Sequence, residues 1–225
     1  MSDSKNPSSP LRVSPQPVLK IPKSERTRAA ILNAALDFLW SHPYREMKVS
    51  LLMASTGVSR SAFYQYFNDL HEVMEILLNM LNEEVLAITG SWFEGTGDPI
   101  VLFNESLAGA VDVCYRLGPI LRATENAAAT DERLEKVWAL FVKQFDDAVT
   151  LRIEAEQSQG LIPNLDARTM AIALNRLNVY MYIQAFGQRP RSKPEPVREA
   201  LTRIWISTLY GSEYVGKESS NLVRT

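Results

Sequence analysis

The stretch Ser59-Arg60-Ser61-Ala62-Phe63-Tyr64-Gln65-Tyr66-Phe67 sets a guanidinium, two hydroxymethyl groups, two phenols and a primary amide on an apolar frame. These groups suit recognition better than bond cleavage. An arginine can pair with O6 and N7 of guanine, and hydroxyls and amides can donate to phosphates or touch base edges. If Phe63 and Phe67 face inward, Arg60, Ser61, Tyr64 and Gln65 project outward, with Ser59 and Tyr66 beside them. Lys48 and Ser50 stand at the front of the preceding helical segment, where a helix N-terminus favours an anion. A DNA major groove admits one such helix. On residue types alone, a core helix with polar decoration is an equal reading.

A second constellation lies in the C-terminal half. Trp138, Phe141 and Phe145 are three and four apart, and so share one helix face. Asn175 and Asn178 are three apart in a strongly apolar helix that also carries Tyr182, and Trp205 sits in the last helical segment. A buried asparagine is costly without partners. Two on one face among aromatics point to a lined cavity in which an amide orients a ligand.

Catalytic and metal-binding patterns are missing from the sequence. It contains no nucleophile elbow, phosphate loop, dinucleotide fingerprint or HExxH motif, so neither an enzyme nor a cofactor is expected. The pairs Asp146/Asp147 and Glu154/Glu156 have no histidine near them and are expected on solvated faces. Two histidines, His42 and His71, and one cysteine, Cys114, make a metal site unexpected; the lone thiol fits a reducing cytoplasm. No 18-residue apolar run and no apolar leader occur, so neither a membrane span nor a secretory signal is expected.

Helices must position these side chains. From Glu25, Ile31, Ala35, Phe38 and Leu39 recur three and four apart as one apolar stripe, which Ser41-His42-Pro43 ends. A short helix is predicted over about 49–55 and a turn at Thr56-Gly57-Val58, with Gly57 at positive φ. A third helix should run from an N-cap at Ser59 to Phe67. Two helices joined through about three residues have helix-turn-helix spacing, and Leu52, Val58, Phe63 and Phe67 would close a small core on the first stripe. Asp69 and Glu72 form a D-x-x-E capping pair for a long helix to about Trp92. Asp98-Pro99 starts the next, to about Leu117, and Gly118-Pro119 a separate short one to about Ala127. Further helices follow over about 131–159, 166–186 and 194–210. With no strand pattern and no repeat, the chain is predicted all-α with about nine helices.

Charge is uneven. Residues 1–68 hold nine Lys/Arg against four Asp/Glu, and the remainder fifteen against twenty-two. A basic front on an acidic body suits a polyanion at the front. Residues 1–22 hold five of the twelve prolines and are expected to form a disordered basic leader; 216–225 are expected to fray.

The block VSLLMASTGVSRSAFYQYFNDLHEVMEILL, preceded by ILNAALDFL, resembles the N-terminal signature of the TetR family of transcriptional regulators over residues 25–80. The resemblance implies that 59–67 is a recognition helix and that the later helices sense a ligand and dimerise. The family commonly carries a phosphate-anchoring lysine at the first position of the fourth helix; here that position is Leu70, and His71 beside it is expected to be exposed. The tracts VWALFVKQF, ALNRLNVYMYIQAF and RIWISTLYG resemble the C-terminal domain of one repressor group in that family, the ethionamide-resistance type. That implies an elongated apolar tunnel walled by Phe103, Leu107, Trp138, Phe141, Phe145, Asn175, Asn178 and Trp205, beside which Tyr182 would lie. Gly109 and Ala110 are small where that group is bulky, which implies a wider pocket.

The expected organisation is a DNA-binding domain over 23–69 and a ligand-binding and dimerisation domain over 70–215. The expected function is a cytoplasmic repressor released from DNA by its ligand. Expected partners are a palindromic double-stranded operator, a small apolar effector, and a second copy through the last two long helices. Met170, Ala171, Leu174, Leu177 and segment 204–209 would supply that dimer surface. A helical adaptor without DNA binding is the alternative, and an enzyme a more distant one.

Overall fold

The structure is a computed structural model that describes residues 22–211. The leader expected over 1–22, apart from Pro22, and the tail expected over 216–225 lie outside the described residues. Among the described residues the fold is eight α-helices and one 3-10 turn, with no strand. The helices are α1 (Lys23–Leu39), α2 (Val49–Thr56), α3 (Arg60–Phe63), α4 (Leu70–Glu94), α5 (Pro99–Ala128), α6 (Glu132–Ser158), α7 (Ala167–Phe186) and α8 (Pro194–Leu209); the 3-10 turn is Tyr44–Glu46.

Aspartates start the long helices. Asp69, Asp98, Asp131 and Asp166 each accept backbone N–H groups of the first turn of α4, α5, α6 and α7. A carboxylate there satisfies orphan donors and meets the positive end of the helix dipole. Glu72 completes the α4 cap, but its Oε2 reaches the backbone N–H of Asn68 at 2.7 Å, one residue before the N-cap.

Ile31, Leu32 and Ala35 of α1, Leu52 of α2, Phe63 and Phe67 form the front core, and Val58 packs against it half-buried. Gly57 ends α2 at φ 68°, the left-handed conformation predicted for it. That core runs without a break into the body along α4. The long helix α5 is the hub: it packs on α4, α6, α7 and α8 and also touches α1 and the 3-10 turn.

The predicted break at Gly118-Pro119 does not occur. α5 is one helix of 30 residues with Pro119 inside it, so eight α-helices replace nine. Pro119 has no N–H to give the carbonyl of Tyr115, its partner four residues back. Arg191 takes that role. Its Nη1 donates to the Tyr115 oxygen at 2.6 Å, and its guanidinium lies 3.8 Å from the Tyr115 ring centroid and 5.1 Å from that of Trp40. Gly118 is needed for a different reason. A Cβ there would lie 2.4 Å from the carbonyl oxygen of Phe186, so only glycine lets α5 pass the end of α7.

Candidate functional site

The polar segment ahead of α4 forms an exposed face. Ser59, Arg60, Ser61, Tyr64 and Gln65 are exposed, as are Lys48 and Ser50 at the front of α2, while Phe63 and Phe67 are buried. Tyr64 is 55% exposed, an unusual position for an aromatic beside a core. Three local expectations are corrected. Regular α3 spans only Arg60–Phe63; Gln65 and Tyr66 then donate to Ala62 and Phe63, three residues back, so the chain tightens into turns. Ser59 makes no side-chain cap; its hydroxyl lies 3.0 Å from that of Ser61. Tyr66 is half-buried against the core instead of standing on the face.

Directly behind this face, the start of α4 is locked to the start of α6. Arg133 donates to Asp69 Oδ2 at 2.8 Å and to Glu75 Oε1 at 2.6 Å. His71 Nε2 lies 2.5 Å from Asp131 Oδ2. Asp69 thus caps α4 with one oxygen and holds α6 with the other. Burial opposes ionisation of both aspartates. The bonds from the Glu72 N–H and Arg133 to Asp69, and from His71 and the Leu134 N–H to Asp131, outweigh it and hold both carboxyls below their usual range. Burial and then the neighbouring Asp131 and Asp69 charges push the Tyr44 phenol up to about 12. His71 is therefore half-buried and engaged with the body, contrary to the exposed position expected for it.

Between α4, α5, α6, α7 and α8 lies a cavity of about 90 Å³. Phe103, Leu107, Phe141, Phe145, Asn175, Asn178, Tyr182 and Trp205 all line it. Trp138 does not: it stacks on Phe141 at 5.4 Å from outside the lining. The wall that sequence reasoning missed is α4, through Leu81, Val85, Thr89 and Trp92. Their three- and four-residue spacing was the available signal, but it also describes an ordinary core stripe. The widening expected at Gly109 is also corrected. A Cβ there would lie 2.2 Å from Ile88 Cγ2, so the missing side chain brings α5 against α4; Ala110 does line the cavity.

The two asparagines are committed to protein partners. An indole N–H can only donate, so Asn178 Oδ1 accepts from Trp205 Nε1 at 2.9 Å. Asn175 Nδ2 donates to Asp146 Oδ1 at 3.0 Å. Arg176 grips the same carboxylate with both terminal nitrogens, at 3.2 and 2.9 Å. Asp146 is 2% exposed, and Glu156, held by Arg152 at 2.6 Å and Tyr210 at 2.7 Å, is 1% exposed. The solvated faces expected for these two are therefore corrected: each points inward because a basic or polar partner from an adjacent turn or helix meets it there. Asp147 is half-exposed between Lys143 and Arg168, and Glu154 is exposed. No group of His, Cys, Asp and Glu suited to a metal occurs among the described residues, and none of their helices is long and apolar enough to cross a membrane.

Comparison with known proteins matches both halves of this arrangement. Residues 31–73 fit the sequence model for bacterial regulatory proteins of the tetR family, and residues 103–211 that for the C-terminal domain of the transcriptional regulator EthR. The HTH-type transcriptional regulator EthR of Mycobacterium tuberculosis H37Rv is 27% identical over 194 residues, covering 84% of this chain and 90% of the relative. Two solved structures share the fold. The SmeT–triclosan complex gives a TM-score of 0.69 at 15% identity, over 83% of this chain and 93% of that one. AibR in complex with isovaleryl coenzyme A and operator DNA gives 0.64 at 15% identity, over 82% and 98%. The chain is a member of the TetR family of transcriptional regulators, with a C-terminal domain of the EthR type.

Proposed function

We propose that the protein is a homodimeric cytoplasmic repressor that leaves a palindromic operator when a small, largely apolar molecule enters the cavity. The observation that carries this reading is the double role of α4. Its N-cap, Asp69, stands directly behind the reading face, and its residues Leu81, Val85, Thr89 and Trp92 wall the cavity. The cavity, at about 90 Å³, is smaller than the roughly 300–1,000 Å³ of sites that hold drug-sized molecules. An occupant must part the walls, and α4 is the wall tied to the reading face. The effector shifts the equilibrium only by its preference for the parted state.

Two-fold symmetry would set two reading faces in successive major grooves. The expected dimer surface needs revision, since Ala171 and Leu174 lie in the protomer's own core. Ile172 and Tyr180 of α7 and Ile204 of α8 are the exposed apolar side chains on the last two helices, and they support that face. Solved proteins of the same fold hold triclosan in one case, and isovaleryl coenzyme A with operator DNA in another, which agrees with a fold serving both tasks.

A gel shift with fragments of the source genome tests the DNA half. Arg60→Ala should weaken the retarded complex about tenfold or more, the range of a lost guanine contact. Tyr64→Phe should weaken it less, and binding should fall steeply with added salt as phosphate contacts release counterions. Unchanged affinity in both variants would remove this face from the DNA interface.

A further inference from the structure

Where the end of α1 meets the body, three arginines gather without a carboxylate to meet them. Arg122 of α5 and Arg189 of the segment between α7 and α8 line a surface cleft of about 550 Å³, together with Asp37, Trp40, Ser41 and Gln188. Arg191 stands beside it: its guanidinium lies 5.1 Å from the Trp40 ring centroid, and that of Arg189 5.0 Å from the same centroid. Elsewhere on the body Arg116, Arg133, Arg152, Arg168 and Arg176 each pair with a carboxylate. The three in the cleft meet only neutral acceptors among the described residues. Arg122 donates to Gln188 Oε1 at 3.0 Å and to the Leu39 carbonyl at 2.6 Å, and Arg191 to the Tyr115 carbonyl. Arg189 rests on Trp40 and donates no hydrogen bond among those residues. Asp37 lines the cleft too, but forms no ion pair with the arginines among the described residues. Burial draws the Arg122 guanidinium below its usual pKa, as it does a cation with no opposite charge against it.

We propose that this cleft binds a phosphate group carried by a small molecule. Neutral acceptors fix the Arg122 and Arg191 guanidiniums in place yet leave their charges unanswered, and each guanidinium keeps N–H groups to spare. The planar fork of arginine suits phosphate oxygens, which can take two of its donors at once. Arg122 and Arg189 supply those donors, and Arg191 adds charge beside them. Three cations answer a phosphate dianion, whereas a single carboxylate would leave most of their mutual repulsion in place. The cleft falls within the roughly 300–1,000 Å³ of sites that hold small molecules. Its occupant would bridge α1, α5 and the segment between α7 and α8, and so tie the front helices to the body at a place distinct from the apolar cavity.

The test is isothermal titration of the full chain with inorganic pyrophosphate, and with acetate for comparison, at constant ionic strength. Wild type should bind pyrophosphate far more tightly than acetate. Arg189→Gln should weaken that binding about tenfold, the effect of one charge-assisted hydrogen bond. Asp37→Asn removes the one carboxylate lining the cleft and should tighten it by roughly threefold, which keeps the test decisive if thermal melting shows Arg189→Gln to be unfolded. Arg60→Ala should bind pyrophosphate as wild type does. Wild type that binds no pyrophosphate, equal affinity in wild type and Arg189→Gln, or an Asp37→Asn protein that binds no tighter would each overturn the proposal. So would a loss confined to Arg60→Ala, which would put the anion on the exposed face ahead of α4. A gel shift separates the two sources of phosphate. Arg189→Gln should retard genomic fragments as wild type does; loss of that complex would give the cleft to the DNA backbone and overturn the small-molecule assignment.

Discussion

At the scale of single residues, Asp146 shows how a side chain can be misjudged from its neighbours in sequence. Beside Asp147 on a mostly polar helix it reads as solvated, yet it is buried with three hydrogen bonds from Asn175 and Arg176. Its partners are about 30 residues away on α7, at no spacing that periodicity could reveal. Removing one side of a buried ion pair strands the other charge. Arg176 keeps partial access to solvent, which softens the loss. Asp146→Ala should therefore destabilise the fold by roughly 2–3 kcal/mol, at the low end for such pairs, read as a lower urea midpoint. Gly118→Ala is expected to be at least as damaging for its size, because the atom it meets is the backbone oxygen of Phe186 and cannot swing aside.

At the scale of elements, two joints hold the proposed reading face to the body. The first is the α4–α6 corner. Asp69 and Asp131 are held below the usual carboxylate range, so the folded state binds fewer protons there than the unfolded chain. Their contribution is complete above that range and is lost as pH falls through the lowered folded values. Melting temperature should therefore drop below about pH 4, and Asp131→Asn should make that drop shallower; a series of melts from pH 6 to pH 2.5 reads both. The second joint is at Pro119 within α5. Arg191 fills the carbonyl that Pro119 leaves bare and rests on Trp40, while Arg122 donates to the Leu39 oxygen at the end of α1 at 2.6 Å. Arg191→Met should cost about 1–3 kcal/mol and far less in a Pro119→Ala background, where the helix supplies its own N–H. Chemical denaturation of the four proteins of this cycle would show the non-additivity.

At the scale of the whole molecule, the exposed apolar side chains of α7 and α8 predict assembly. Tyr180 is 60% exposed and Ile204 40%, while their helices are otherwise well packed. Tyr180→Glu should shift the protein toward monomer by light scattering after size exclusion. It should also weaken operator binding sharply, since one reading face then binds without its twin, and leave titration of the cavity unchanged. A variant that stays dimeric would move the interface elsewhere.

The sequence by itself determined most of the local structure. Aspartate caps, the three- and four-residue stripes, Gly57 at positive φ and the polar face of Ser59, Arg60, Ser61, Tyr64 and Gln65 follow from forces acting within a few residues. Eight of the nine side chains picked for the cavity line it: spacing on a helix face pointed to pairs such as Phe141/Phe145 and Asn175/Asn178, and the family resemblance to Phe103 and Leu107. The tertiary structure alone decided the rest. It carried α5 through Pro119, because a guanidinium 76 residues away supplies the missing hydrogen bond. It turned Trp138 out of the cavity, turned Asp146 and Glu156 inward and drew His71 to Asp131. It also made α4 a wall of the cavity and left Tyr182 without a partner. Each of these outcomes depends on which distant group arrives within hydrogen-bond or van der Waals reach, and packing, not local preference, sets that.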